Sequence, residues 1–180
     1  NKKIYEYALS MRERGRDLNH PTEIYDKSWR NCRVPEFSAI LGLNQFNNIK
    51  NIITHRNRIC DVYDKIINKS QNFRTLKRSN KIRYSIWKHI TLIQNKNIKR
   101  ENLRDHLFSE HGIVINWAYD PPLHLQPLYK KSLGIKKGYL KYSENLMSNH
   151  FHLPLHMNIS LNDAKYIANS LLEISSRIIR

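Results

Sequence analysis

Residues Trp29 to Leu43 read WRNCRVPEFSAILGL and run on through Asn44-Gln45-Phe46 into a long patterned segment. Pro35 is tolerated in a first helical turn, where its missing N–H would be unpaired anyway, and Glu36 complements the positive end of the helix dipole. The spacing predicts a helix from Pro35. Beyond it Phe46, Ile49, Ile53, Cys60, Tyr63 and Ile67 follow a three- and four-residue rhythm, with Arg56 as the one polar interruption. That rhythm predicts a long amphipathic helix packed along one seam. The hand-over near Gln45 is the expected domain boundary.

Upstream, Lys3 to Arg14 places Ile4, Ala8, Leu9 and Met11 on one helical face, and Gly15 suits a left-handed stop. A polar, turn-rich stretch fills residues 16–28. Downstream, Ser70 to Lys81 reads as a basic loop. Tyr84, Ile86, Ile90 and Leu92 then alternate with Arg83, Ser85, His89 and Thr91, which predicts a strand over 82–93. Lys99 to His111 is helical, with Leu103, Leu107 and Phe108 inward and Gly112 as its stop. Ile113 to Trp117 is a short β-rich run, so strand, helix and strand suggest a small α/β layer. Asp120, Pro121 and Pro122 break regular structure, and His124 to Tyr129 follows as a short irregular or helical piece. Ser160 and Asp163 form a capping-box pattern opening a helix with Ala164, Ile167, Ala168, Leu171 and Leu172 on one face.

Composition narrows the function classes. The 180 residues carry 31 Lys+Arg against 15 Asp+Glu, a formal charge of +16. A mean hydropathy of -0.66 argues against a membrane span. No apolar run approaches the ~18 residues that a spanning helix needs. Two cysteines, Cys32 and Cys60, rule out a disulfide framework and point to a reducing compartment. The chain begins at Asn1 without a charged-then-apolar leader, and it reads as a piece of something longer. The charge invites a nucleic-acid reading, but basic residues are scattered, with one mild cluster at Arg74, Lys77, Arg78, Lys81 and Arg83. Abundant Lys, Asn and Ile beside scarce Ala fit codon bias, and the cluster reads as an exposed turn.

Chemistry-bearing patterns are few. His150 and His152 share a face if their segment is extended, with His156 nearby. No neighbouring carboxylate or cysteine completes a ligand set, and Pro154 interrupts the spacing, so no metal site is expected. The five glycines are dispersed and make no phosphate loop. No nucleophile sits in a glycine-flanked elbow.

One resemblance is far more specific. The stretch from Trp29 resembles the DegT/DnrJ/StrS family of pyridoxal-phosphate-dependent sugar aminotransferases. Its members carry an Asn-aromatic-Arg segment, a helix patterned Glu-x-x-Ala-x-x-Gly-x-x-Gln, and then a long Arg-containing helix. The matching positions are Asn31, Arg33, Glu36, Ala39, Gly42 and Gln45, followed by His55-Arg56. Cys32 departs from the usual aromatic and Pro35 from a small hydroxyl residue. Arg100 to Ile113 looks like the family's helix ending in a Gly-Ile step. His124-Leu125-Gln126-Pro127-Leu128-Tyr129 is similar to its His-x-x-Pro-x-Tyr segment, and Leu153-Pro154-Leu155-His156 to its Leu-Pro-Leu-His signature.

The resemblance implies the C-terminal part of a fold-type I enzyme, with helices and a small mixed or antiparallel sheet. Residues 1–45 would be a remnant of the large cofactor-binding domain and 46–180 the small α/β domain. No lysine here matches the Schiff-base lysine, so no catalytic residue is nominated and the chain alone is expected to be inactive. The intact relative is a cytoplasmic homodimer that moves an amino group from an amino acid, usually glutamate, to a nucleotide-linked keto-sugar. Asn31 would reach across the dimer interface to the phosphate of pyridoxal phosphate, or else shape a turn. Arg33 would position a substrate phosphate or carboxylate, or brace the dimer loop. His124 would line the nucleotide-sugar pocket, or pack at a helix start. No nucleic-acid or membrane partner is expected on this reading. A basic nucleic-acid module and a non-catalytic relative of the family are the competing readings.

Overall fold

The computed structural model describes residues 1–25, 27, 30 and 32–179. These fall into two compact units, Asn1–Ile49 and Lys50–Arg180. The first opens with α1 (Lys2–Arg12), whose end Asn1 caps by accepting from the Lys3 amide at 3.0 Å. The chain then turns through Arg14 and Gly15, at φ +68° and +86°. A Cβ on Gly15 would lie 2.0 Å from the Lys27 carbonyl oxygen, so both conformation and space require glycine here. Helix α2 (Glu36–Asn47) starts where Pro35 predicts. None of its residues is buried, and Phe37 and Phe46 are 72% and 71% exposed.

The long seam expected from Phe46 to Ile67 is two helices. Asn48 ends α2, its side-chain amide donating back to the Asn44 carbonyl at 3.1 Å, and α3 (Ile49–Ile67) starts afresh. Phe46 therefore leaves the seam, and only its last three members, Cys60, Tyr63 and Ile67, are buried.

In the second unit α3 leads to β1 (Phe73–Thr75) and β2 (His89–Ile93), followed by α4 (Arg100–His111) and α5 (Pro127–Leu133). After these come α6 (Lys141–Asn149), β3 (His150–Leu153) and α7 (Leu161–Ile178). The strands form one antiparallel sheet in the order β1-β2-β3, with Phe73 opposite Ile93 and Thr91 opposite Phe151. The architecture is thus helices around a small antiparallel sheet, as the resemblance implied. The core joins Tyr63 from α3, Leu103 and Leu107 from α4, Phe151 from β3, and Leu171 and Ile174 from α7. Tyr63 satisfies its buried hydroxyl by donating to the Pro154 carbonyl at 2.8 Å. No helix among the described residues is long and apolar enough to cross a membrane.

Local signals held where one residue type acts on its own neighbourhood. Gly112 takes φ +65° at the end of α4, and Ser160 and Asp163 make the reciprocal capping box of α7. The strand expected over 82–93 shrinks to His89–Ile93, because the segment before it is tied to α3 instead. There Asn57 donates from Nδ2 to the Tyr84 carbonyl at 2.8 Å. The loop expected over 70–81 contains β1, three residues long and too short to show alternation. Ile113 to Trp117 contributes only a bridge between Asn116 and His152, and the third strand is the unexpected Phe151 segment.

His150 and His152 do lie in a strand, with ring centroids 5.1 Å apart. His150 uses both nitrogens, donating from Nδ1 to the Met147 carbonyl at 2.8 Å and accepting at Nε2 from the Ala118 amide at 3.4 Å. Burial, then the Lys88 and His150 charges, push the His152 imidazole down to about 4. An unfolded His152 titrates near ~6.5. The unfolded chain therefore binds the proton first, and stability falls as pH drops from there toward the folded value. His152→Gln is expected to flatten that loss. Urea midpoints at about pH 7 and about pH 5 should differ less in the variant than in the parent chain.

Candidate functional site

The matched positions split between the two units. Arg33, in the first, donates from Nε to the Glu13 carboxylate at 2.7 Å, and its Nη2 donates to the same oxygen. Arg12 donates to the other Glu13 oxygen at 3.0 Å. Arg33 foremost, with Arg12 adding to it against burial, holds the Glu13 carboxyl below its usual range. Asn31 lies outside the described residues.

In the second unit His124 stands in a single 3-10 turn, Leu123–Leu125, just before α5. It is inside a built structure. Its Nε2 donates to Glu144 Oε1 at 3.0 Å, and the His124 side chain is only 10% exposed. Glu144, in the first turn of α6, also accepts from the Gly138 amide at 2.8 Å and the Leu140 amide at 3.2 Å. These donors, His124 foremost, keep its carboxyl below the ordinary value against the opposing effect of burial. Glu144 thus fixes the His124 tautomer and fastens the loop from Gly134 to Leu140. Among the described residues His124 Nδ1 has no partner, so in the neutral ring it is an acceptor for a hydroxyl or amide N–H.

The segment before His124 hangs on Arg100. This guanidinium is 6% exposed, lies 4.0 Å from the Trp117 ring centroid, and donates from Nη2 to Asp120 at 2.5 Å. Its Nη1 donates to the Met147 carbonyl at 2.9 Å, in the last turn of α6, and to the His150 carbonyl at 3.3 Å, where β3 begins. One buried cation therefore pins both flanks of the His124 segment. Neither Arg100 nor Glu144 stands out in the sequence, because the side chains that define their roles, Asp120 and His124, each lie twenty residues away. Asp120 beside Pro121 marked only a break.

The described residues do not complete a cofactor site. A pyridine aldehyde needs a lysine, a carboxylate for its ring nitrogen and a phosphate cradle. Arg33 is engaged by Glu13, and two carboxylates in a cleft beside α3, Asp61 and Asp64, both serve Arg78.

The DegT/DnrJ/EryC1/StrS aminotransferase family model matches residues 1–172. The chain belongs to this family. Pyridoxal phosphate is the cofactor of these aminotransferases. A Campylobacter jejuni UDP-4-amino-4,6-dideoxy-N-acetyl-beta-L-altrosamine transaminase is 28% identical over 153 residues, 82% of this chain and 39% of that protein. The GDP-perosamine synthase of Escherichia coli O157:H7 is 25% identical over 178 residues, 98% of this chain and 46% of the synthase. The chain thus spans less than half the length of these relatives. Helicobacter pylori PseC, an aminotransferase of pseudaminic-acid biosynthesis, shares the fold at TM-score 0.86 and 22% identity, over 98% of this chain and 47% of PseC. A Streptococcus pneumoniae sugar aminotransferase in its PLP form matches at TM-score 0.86 and 22% identity, over 98% of this chain and 44% of its own.

Proposed function

We propose that this DegT/DnrJ/EryC1/StrS chain is the C-terminal portion of a sugar aminotransferase. The intact enzyme would move an amino group from glutamate to a nucleotide-linked keto-sugar, for cell-surface polysaccharide or a related amino sugar. It would work as a cytoplasmic homodimer. The observation that carries the reading is the family match over residues 1–172, supported by the two nucleotide-sugar relatives. Bound pyridoxal phosphate supplies the electron sink for amino transfer.

On this reading residues 1–45 belong to the large domain and 46–180 to the small one. The compact units divide a little later, after Ile49, just beyond helix α2. That helix is apolar on every side, with Phe37, Ile40, Leu41, Leu43 and Phe46 all exposed. A helix of this kind belongs inside a larger body. The chain's own residues would bind and orient. Arg33 offers a planar fork to a phosphate or carboxylate, on exchange with Glu13. His124 accepts a sugar or nucleotide donor at Nδ1 while Glu144 holds its other nitrogen. Asn31 donates an amide hydrogen bond to the cofactor phosphate of the partner subunit without adding charge.

The test uses the full-length enzyme. A hydrogen bond to a charged group is worth about 1.5–3 kcal/mol. Asn31→Ala should therefore weaken pyridoxal phosphate binding roughly 10- to 100-fold, with a nearly unchanged urea midpoint. Unchanged cofactor affinity would remove Asn31 from the site.

A further inference from the structure

A second candidate site lies within the second unit, and neither Arg33 nor His124 lines it. Between α3 and residues 74–86 is a polar cleft of about 420 Å³, bordered by Asp61, Arg74, Lys77 and Arg78. It adjoins an apolar compartment of about 210 Å³ walled by Leu76, Tyr84, Ile86 and Ile90, and Lys77 and Arg78 border both. Together they fall within the size range of small-ligand sites.

The hydrogen bonds of the floor decide what could enter. Arg78 donates to Asp64 at 2.7 Å and 2.9 Å, to Asp61 at 2.5 Å and to the Asn57 side chain at 3.3 Å. Asp64 takes a further bond from Nε2 of the buried His89 at 3.0 Å. Asn68 is closed on Thr75, its Nδ2 donating to Oγ1 at 2.8 Å and its Oδ1 accepting from the amide at 3.1 Å. Asp64 and these amides are engaged internally, which makes the floor rigid, while Asp61, mostly exposed, meets Arg78 through one oxygen. Arg74 and Lys77 are different. They are exposed at the polar compartment and, among the described residues, have no carboxylate partner. Arg74 at the polar compartment, Lys77 between the two, and an apolar slot with Lys88 at its border select an anion with a flat, poorly hydrated body.

We propose that this cleft binds a mononucleotide, with its phosphate on Arg74 and Lys77 and its base in the slot formed by Leu76, Tyr84 and Ile86. None of the residues proposed for the sugar substrate lines this cleft. The cluster of positive charge in residues 74–83 is thereby a small-molecule phosphate site, with its one inward arginine, Arg78, serving as scaffold.

The test is titration calorimetry of the full chain with UMP, uridine and inorganic phosphate, alongside amide chemical-shift mapping. UMP should bind at least about tenfold more tightly than either part alone, with shifts confined to residues 57–90. Its affinity should fall between about 50 and about 200 mM salt. The exposed double variant Arg74→Ala/Lys77→Ala should lose at least about tenfold, a loss of ~1.4 kcal/mol. Lys165→Ala, an exposed lysine of α7 that borders neither compartment, should bind UMP like the parent. UMP bound no better than phosphate, or an unaffected double variant, overturns the site. Loss in Arg33→Ala or His124→Ala alone would place the nucleotide with the proposed substrate residues, overturning this site while leaving the aminotransferase reading intact. If UMP binds in this cleft and Asn31→Ala leaves cofactor affinity unchanged, the cleft stands and the Asn31 role fails.

Discussion

Arg100→Met is expected to cost about 3–5 kcal/mol of folding stability, read as a lowered urea midpoint at neutral pH. The methionine keeps an apolar stem against Trp117 but removes every donor. Asp120 then holds a charge without its 2.5 Å partner, and the Met147 carbonyl loses its 2.9 Å bond. Breaking one half of a buried pair costs far more than the pair contributes, because the remaining charge is stranded. The double variant Arg100→Met/Asp120→Asn should therefore recover a large part of the loss. Arg104→Met is the control. Arg104 reaches Asp105 at 2.9 Å with both side chains well exposed, and its removal should change stability by less than about 1 kcal/mol. Equal effects at Arg100 and Arg104 would contradict the role given to the buried cation.

Phe151→Ala is the second large expected effect, also about 3–5 kcal/mol. Phe151 is fully buried in β3, sits opposite Thr91 on β2, and meets the Phe73 ring edge-on with centroids 5.9 Å apart. One side chain thus joins all three strands. Alanine leaves a cavity walled by elements that cannot all move inward, so the loss of transfer energy and the void add. Phe151→Leu, which fills more of the space, should cost distinctly less. If alanine and leucine proved equal, the site would collapse freely and the ring would not be the keystone described.

These two residues show where sequence reading stopped. Helices α2, α4 and α7 were legible because their signals are local: Pro35, Gly112 and the Ser160–Asp163 box act within one turn. The sheet was not. β1 and β3 have three and four residues, fewer than an alternation needs to declare itself, and each exists through pairing with β2. Alternation at 83–86 was real but reported a half-buried segment clamped to α3 by Asn57. The family motifs located Arg33 and His124, while their surroundings came from distant partners, Glu13 and Glu144, that no spacing rule reaches. Only in three dimensions does Arg78 turn inward between Asp61 and Asp64, leaving Arg74 and Lys77 to face the cleft.

We propose that these residues bind and orient in an aminotransferase whose catalytic lysine lies elsewhere. Half-transamination by the 180-residue chain tests it most directly, as conversion of pyridoxal phosphate to pyridoxamine phosphate with glutamate. The account predicts a rate no greater than that of pyridoxal phosphate with free lysine at equal amine concentration. A saturable rate well above that background, carried by one lysine of this chain, would contradict it.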